Sequence, residues 1–343
     1  MRVKSHIVLL LFCFVVPAFA QARRSNDVVL LHNGDRITGE IRSLQDGNLT
    51  IQPTYARDAV VIDWSEIDRI DSTQTFAVRA PSGARLQGAL HGSREASLSV
   101  GEGLSERKIP LSAISAIEPL GSTLWTNLHG NIDAGLSFTG STSQQAATIQ
   151  GSLTYITATR VAKINTSDQF ATQVNAKNTN EMLVQSSLYN QVKQSKTYVG
   201  TMANFLSSSK QDIALRSTIG AGAARYLMMG RHANVDGVAG FAYTDQINQQ
   251  ASAGTQHSID GVVAVEAEFY RFSALHFATS AWIYPGLTNA GRLRMTLNQS
   301  IYYKLTQGPY LRFSVYDYFD NQPQAGTPSN NVGGVLSVGW AFH

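Results

Sequence analysis

The chain has 343 residues, of which 43% are hydrophobic and only 15% charged, so it belongs to neither the disordered nor the fibrous class. When Arg2 and Lys4 of the leader described below are left out, 25 basic residues face 24 acidic ones, which excludes a nucleic-acid binder driven by bulk charge. Four Trp, 13 Tyr, 14 Phe and few prolines favour β-structure wherever apolar and polar residues alternate.

Residues 1–20 have the pattern of a signal peptide. Two basic residues precede an apolar run of about ten residues, which is shorter than the roughly 20 that a membrane-spanning helix needs. Ala18 and Ala20 supply the small residues of a cleavage site, so the mature chain is expected to begin at Gln21. The only cysteine, Cys13, lies in this leader, so we expect a mature chain without disulfides or cysteine-ligated metals.

The density of charge divides the remaining chain into two zones. Residues 21–120 carry 24 charged side chains, whereas 121–343 carry only 25 in more than twice the length. The boundary near Gly121 therefore separates an ordinary water-exposed surface from a region that exposes little charge.

The first zone contains an internal repeat, in which residues 28–41 can be laid on residues 76–90. Each copy reads as strands joined by tight turns, followed by a closing Ile-x-x-Ile segment. The pattern predicts two small β-modules of the SH3-like or Sm-like type, over 21–72 and 73–121. Sm-like modules can bind RNA, but export and a net charge of −2 argue against it here. The matching positions are Gly34 with Gly83, Gly39 with Gly88, Leu49 with Leu98, and Ile67 and Ile70 with Ile114 and Ile117.

The second zone, 122–343, alternates apolar and polar residues with the two-residue period of a β-strand. Leu128, Ile132 and Leu136 alternate with polar neighbours, and the same pattern recurs to give about twelve candidate strands. Short links alternate with longer polar segments such as 245–256 and 320–331. This alternation is typical of outer-membrane barrels, so we predict an all-β chain that ends in an antiparallel transmembrane β-barrel.

Residues 212–227, 234–243 and 313–317 resemble the domain-of-unknown-function 481 family, whose members are labelled salt-induced outer-membrane proteins. The opening segment from Asn33 to Gly39 also looks like the segment that precedes the barrel in many members. The resemblance covers most of 125–343 and rests on strand patterns, so it implies a fold and a location but no activity.

No pattern predicts a catalytic, cofactor-binding or metal-binding residue. The segment from Gly34 to Gly39 has the spacing of a phosphate loop, but Glu40 stands where the lysine is required. A membrane hydrolase could be imagined from His129 with Ser137 or Ser141, although this spacing is unspecific. We therefore expect no enzyme and no cofactor.

Charged residues on the polar face of the candidate strands are expected to face the lumen, since each would cost about 2–4 kcal/mol at mid-depth in lipid. In the strand 212–227 this places Leu215 and Ile219 in lipid, and Arg216 in the lumen. Such charges could pair across the lumen and rigidify it, or guide solutes. The candidate lumen-facing charges are Asp133, Arg216, Asp236, Glu266, Glu268, Arg292, Arg294, Lys304 and Arg312.

The sequence thus predicts an outer-membrane β-barrel of structural or narrow-channel type with two β-modules in the periplasm. The alternatives are a soluble periplasmic or secreted β-rich binding protein and an outer-membrane lipid hydrolase. The expected partners are outer-membrane lipid, the barrel-assembly machinery and, through 21–120, a periplasmic or envelope protein, with no nucleic acid.

Overall fold

The structure is a computed structural model. The predicted signal peptide and its cleavage site lie outside the described residues. No helix in the described part of the chain is long and apolar enough to cross a membrane. The described residues are 26–45, 47–80, 83, 85–93, 96–101, 106–120, 127–138, 145–157, 159–172, 178–193, 195–230, 232–250, 254–270, 274–305, 308–324 and 326–342.

Nine strands form one N-terminal sheet. Eight of them follow the order β4-β3-β2-β1-β5-β6-β7-β8, and β9 pairs with both β2 and β5. The strands are β1 (Asp27–Leu31), β2 (Arg36–Gln45), β3 (Asn48–Pro53), β4 (Val60–Asp63), β5 (Ile67–Arg79), β6 (Arg85–Ser93), β7 (Ser97–Val100), β8 (Arg107–Pro110) and β9 (Ala116–Pro119).

The sequence repeat reappears as a structural repeat. In each copy four strands are followed by a single 3-10 turn, Trp64–Glu66 in the first and Leu111–Ala113 in the second. The final strand of each copy pairs with its own first strand, which aligns Ile70 with Val29 and Ile117 with Val78. It also pairs with the second strand of the other copy, so the two copies are joined reciprocally.

The two copies share one hydrophobic core. It contains 19 buried apolar residues drawn from both, and Trp64 Nε1–H donates a hydrogen bond of 2.8 Å to the carbonyl oxygen of Leu111 in the other copy. The boundary between 21–72 and 73–121 falls inside β5, so no linker separates the copies. Gly34 and Gly83 occupy matching turns with φ of +90° and +82°, a backbone conformation that residues with a Cβ atom rarely adopt.

Twelve further strands close into an antiparallel barrel, in which β10 pairs with β21. The predicted all-β class and the twelve-stranded barrel are confirmed. The strands are β10 (Leu128–Phe138), β11 (Gln145–Ile156), β12 (Arg160–Thr172), β13 (Thr179–Gln191), β14 (Thr197–Ser208), β15 (Ile213–Met229), β16 (Ala233–Asn248), β17 (Thr255–Phe269), β18 (Leu275–Pro285), β19 (Leu293–Lys304), β20 (Pro309–Asp320) and β21 (Asn330–Phe342).

The two ends of the barrel differ in their connections. At the end next to the N-terminal sheet, called the near end, the five links contain three to five residues. At the far end the six links contain four to nine residues. Of the polar segment 245–256, residues 245–248 and 255–256 belong to β16 and β17, and Gln246, Asn248 and Gln256 make hydrogen bonds inside the lumen.

The outside of the barrel is apolar. Among the described residues, 37 large apolar side chains are exposed; three belong to the N-terminal sheet and its loops, and 34 to the barrel. An exterior of this kind is stable only against hydrocarbon, so the barrel spans a membrane.

The N-terminal sheet contacts the near end of the barrel. Gln191 Nε2 donates to the carbonyl oxygen of Gly83 at 2.6 Å, and Arg85 Nη1 donates to that of Thr157 at 3.0 Å. The guanidinium of Arg79 lies 5.5 Å from the ring centroid of Tyr226 in the barrel. Arg79, Gly83 and Arg85, in and next to β5 and β6, therefore contact the near end of the barrel.

Candidate functional site

Alternate residues of each barrel strand face the lumen. In β15 the side chains of Leu215 and Ile219 are 39% and 57% exposed on the outer face. Arg216 points inward, where it binds Gln246, and the buried Thr218 contacts Thr244. The strand pleat thus separates a lipid face from a polar lumen face.

The lumen contains a cavity of about 1380 Å³, called the chamber. It begins at the near end, where the N-terminal sheet contributes Arg79, Arg85 and Glu118 to its wall. Asp58 and Val61, which are exposed, also line it, so the chamber opens to the outside beside the N-terminal sheet.

Six side chains, called the far-end layer, lie beyond the chamber, and none of them lines it. A second cavity of only about 40 Å³ touches Arg216 and Arg294 in this layer. That volume holds only a few water molecules, so these side chains narrow the lumen here. The far-end layer consists of Arg216, Gln246, Asp260, Arg292, Arg294 and Asp320.

Asp320 is the centre of the far-end layer. Arg292 Nη2 donates to Asp320 Oδ2 at 2.7 Å, and Arg216 Nη2 lies 3.4 Å from the same oxygen. Arg216 Nε also donates to Gln246 Oε1 at 2.8 Å. Because β15 and β20 lie on opposite sides of the barrel, the Arg216–Asp320 pair crosses the lumen.

Asp260 holds the second part of the layer. Arg294 forms an ion pair with Asp260, and Thr244 Oγ1 donates to the same carboxylate at 2.7 Å. The guanidinium of Arg294 also lies 5.4 Å from the ring centroid of Tyr284. Three arginines face two aspartates, which leaves the layer with one excess positive charge.

Further contacts cross the lumen at the same end. The ring of Tyr318 on β20 packs against an apolar cluster on β13, β14 and β15. Tyr316 Oη donates to Gln169 Oε1 at 2.9 Å, and Asn331 Nδ2 donates to Glu181 Oε2 at 2.6 Å. The far end of the lumen is therefore narrowed by side chains that reach across it from opposite walls. The apolar cluster consists of Leu183, Leu206 and Ile213.

One wall of the chamber is acidic. Asp236, Glu266 and Glu268, called the acidic wall, lie on β16 and β17 and all line the chamber. Lys163 reaches across from β12, with its Nζ 3.9 Å from Glu266 Oε2.

The predicted lumen charges divide into three groups. Arg216, Arg292 and Arg294 belong to the far-end layer. Asp133 is buried and pairs with Arg312 at 3.5 Å. The residues that line the chamber are Asp236, Glu266, Glu268, Lys304 and Arg312.

Sequence reasoning missed several lumen residues. Asp260 has the same strand parity as Glu266, and Asp320 the same as Arg312, so the alternation could have revealed both. Lys163 was missed because β12 is not clearly amphipathic: its outward positions include Thr166 and Asp168 as well as apolar residues.

The structure does not define the geometry of the hydrolase pair considered from the sequence. His129 lines the chamber, whereas Ser141 and the side chain of Ser137 lie outside the described residues. Within the described part of the chain, no three His, Cys, Asp or Glu side chains come together as a metal site.

Comparison with known proteins gives one family match. The model described as "Protein of unknown function, DUF481" matches residues 132–341. No curated protein matches the chain.

Several solved structures are similar to the barrel. The NanC porin is 12% identical, with 62% of this chain and 99% of that chain covered and a TM-score of 0.41. An outer membrane channel from Pseudomonas putida F1 is 12% identical, with coverage of 63% and 95% and a TM-score of 0.39. The KdgM porin in complex with disordered oligogalacturonate is 11% identical, with coverage of 62% and 99% and a TM-score of 0.37.

The location follows from the architecture. A closed antiparallel barrel with an even number of strands and an apolar exterior is the form that bacterial outer-membrane proteins take. The protein is an outer-membrane β-barrel.

Proposed function

The chain belongs to the DUF481 family, whose function is unknown, and from the geometry of the lumen we propose that the protein is a narrow, gated outer-membrane channel. The predicted family membership is confirmed. The structure would then represent the closed state, with the far-end layer as the gate.

The observation that carries the proposal is the cross-lumen pair of Arg216 and Asp320 above an unfilled chamber. A barrel with a purely structural role can be filled by side chains along its whole length, as in small eight-stranded barrels. Here about 1380 Å³ is left open, and the far end is closed by the far-end layer together with side chains such as Tyr318 that reach across the lumen.

We further propose that the near end faces the periplasm. The support is that its links are the shorter ones, as in outer-membrane barrels, and that the water-exposed N-terminal sheet lies at this end. A tag inserted within 321–329 should be accessible on whole cells, whereas a tag within 157–159 should require a permeabilised outer membrane. The reverse result would invert the topology.

The gate is tested by Asp320→Asn in planar bilayers. Breaking a buried ion pair costs about 3–5 kcal/mol, and the change leaves Arg216 and Arg292 to repel each other. The variant should therefore open more often than the wild-type protein, which should be mostly closed.

Asp317→Asn is the matched control, because Asp317 lies three residues earlier on the outward parity of β20. It should conduct like the wild-type protein. Equal conductance of wild type and Asp320→Asn would remove the gate, and silence of both would favour a structural barrel.

A further inference from the structure

The acidic wall places like charges side by side. Asp236 and Glu266 are direct cross-strand partners on β16 and β17, and Glu268 lies two residues further along β17 opposite Asn234. Like charges at directly opposed positions destabilise a sheet. This arrangement is therefore unfavourable unless a cation lies near it.

The chain supplies only part of that positive charge. Among the described residues, Lys163 alone forms an ion pair with the acidic wall, at 3.9 Å from Glu266. One ammonium thus lies beside three carboxylates, and a guanidinium, that of Arg79, lies over the neighbouring ring of Tyr226.

Aromatic rings in the lumen already bind cations. Guanidinium groups lie over three tyrosine rings, at 5.5 Å for Tyr226, 5.4 Å for Tyr284 and 5.1 Å for Tyr302. These distances are within the range of about 6 Å for cation–π attraction. Tyr226 is also the cross-strand partner of Asp236, so a ring of this type adjoins the acidic wall.

Buried polar atoms of the chamber wall have no hydrogen-bond partner among the described residues. They include Asn234 Oδ1, next to Glu268, and the hydroxyls of Tyr189 and Tyr198. Tyr198 is only 4% exposed. Carboxylates and an amide oxygen accept hydrogen bonds, so this wall matches a ligand that donates them, and an ammonium group only donates.

We infer that the chamber binds an amine-bearing organic cation at Asp236, Glu266 and Glu268, next to Lys163. The three carboxylates would receive its N–H donors. The entry beside the N-terminal sheet gives such a ligand a route to the wall.

This inference deepens the proposed function by naming the solute class, and it rests on that function for transport. Binding can be measured at equilibrium on the closed, full-length protein in detergent. A failure to bind would leave the gating result intact, and a failure to conduct would leave the binding result intact.

The test is a calorimetric titration with spermidine, whose three ammonium groups match the three carboxylates in number. Asp236→Asn combined with Glu266→Gln should weaken binding at least about tenfold, since each lost charge contributes an ion pair in a partly desolvated site. Lys163→Met should instead strengthen binding several-fold, because it removes the competing ammonium. Heat-dependent gel mobility verifies that each variant is folded.

Asp168→Asn is the control, because it removes an exposed carboxylate from the outer face of β12 and should leave the affinity unchanged. The inference is overturned if spermidine binds neither the wild type nor Lys163→Met. It is also overturned if the double variant binds as tightly as the wild type, or if Mg²⁺ binds as tightly as spermidine, which would indicate an inorganic cation site.

Discussion

In the N-terminal sheet the apolar side chains of facing strands pack against one another, whereas in the barrel they point away from the protein. Ile70 and Ile219 are both central strand residues, yet Ile70 is 0% exposed and Ile219 is 57% exposed. The comparison shows that an apolar alternation fixes which residues share a face and not which solvent that face meets.

The polar faces of the two regions differ in the same way. Those of the N-terminal sheet are open to water, while those of the barrel face each other across the lumen. Charges on opposite walls, such as Arg216 and Asp320, are therefore brought within 3.4 Å although 104 residues separate them. The inward orientation of the polar faces thus brings the residues of the far-end layer together.

The largest difference in stability between the two regions is expected when an isoleucine is replaced by alanine in each of them. Ile70→Ala should destabilise the N-terminal sheet by about 2–5 kcal/mol because it leaves a cavity in a packed core. Ile219→Ala should cost far less, because lipid fills the vacated space. Urea-dependent proteolysis of the full chain measures the first effect and heat-dependent gel mobility the second; equal losses would contradict the inversion.

A second pair of variants tests the two faces of one strand. Val184→Arg places a charge on the outer face near the middle of β13 and should cost about 2–4 kcal/mol. Gln185→Arg places the same charge in the chamber wall, where water is present, and should assemble normally. The yield of folded barrel, measured by heat-dependent gel mobility, checks this. A lower yield for Gln185→Arg than for Val184→Arg would show that the inward and outward faces of β13 are assigned wrongly.

The smallest effect concerns the contact between the two N-terminal copies. Trp64→Phe removes the donor to the Leu111 carbonyl and should lower stability by about 1–3 kcal/mol, since that buried oxygen loses its partner. Trp282→Phe, in the barrel lumen, should leave the unfolding of the N-terminal sheet unchanged. Identical urea midpoints for Trp64→Phe and wild type would show that this contact does not join the copies.

Local patterns in the sequence were sufficient to predict the barrel strands and the N-terminal repeat. The two-residue period identifies barrel strands because successive side chains point to opposite faces, and the matching Ile-x-x-Ile segments mark the last strand of each N-terminal copy. The fall in charge density predicts a boundary near Gly121, because a lipid-facing surface excludes charge.

Which residues meet was decided only by closure of the sheets. The reciprocal pairing of the two copies, which places Ser72 beside Leu90 and Leu44 beside Ile117, depends on contacts distant in sequence. The far-end layer likewise exists because β15 and β20 come to lie on opposite sides of a twelve-stranded ring. Strand parity determines that a charge faces inward, but its partner depends on the curvature and register of the closed barrel.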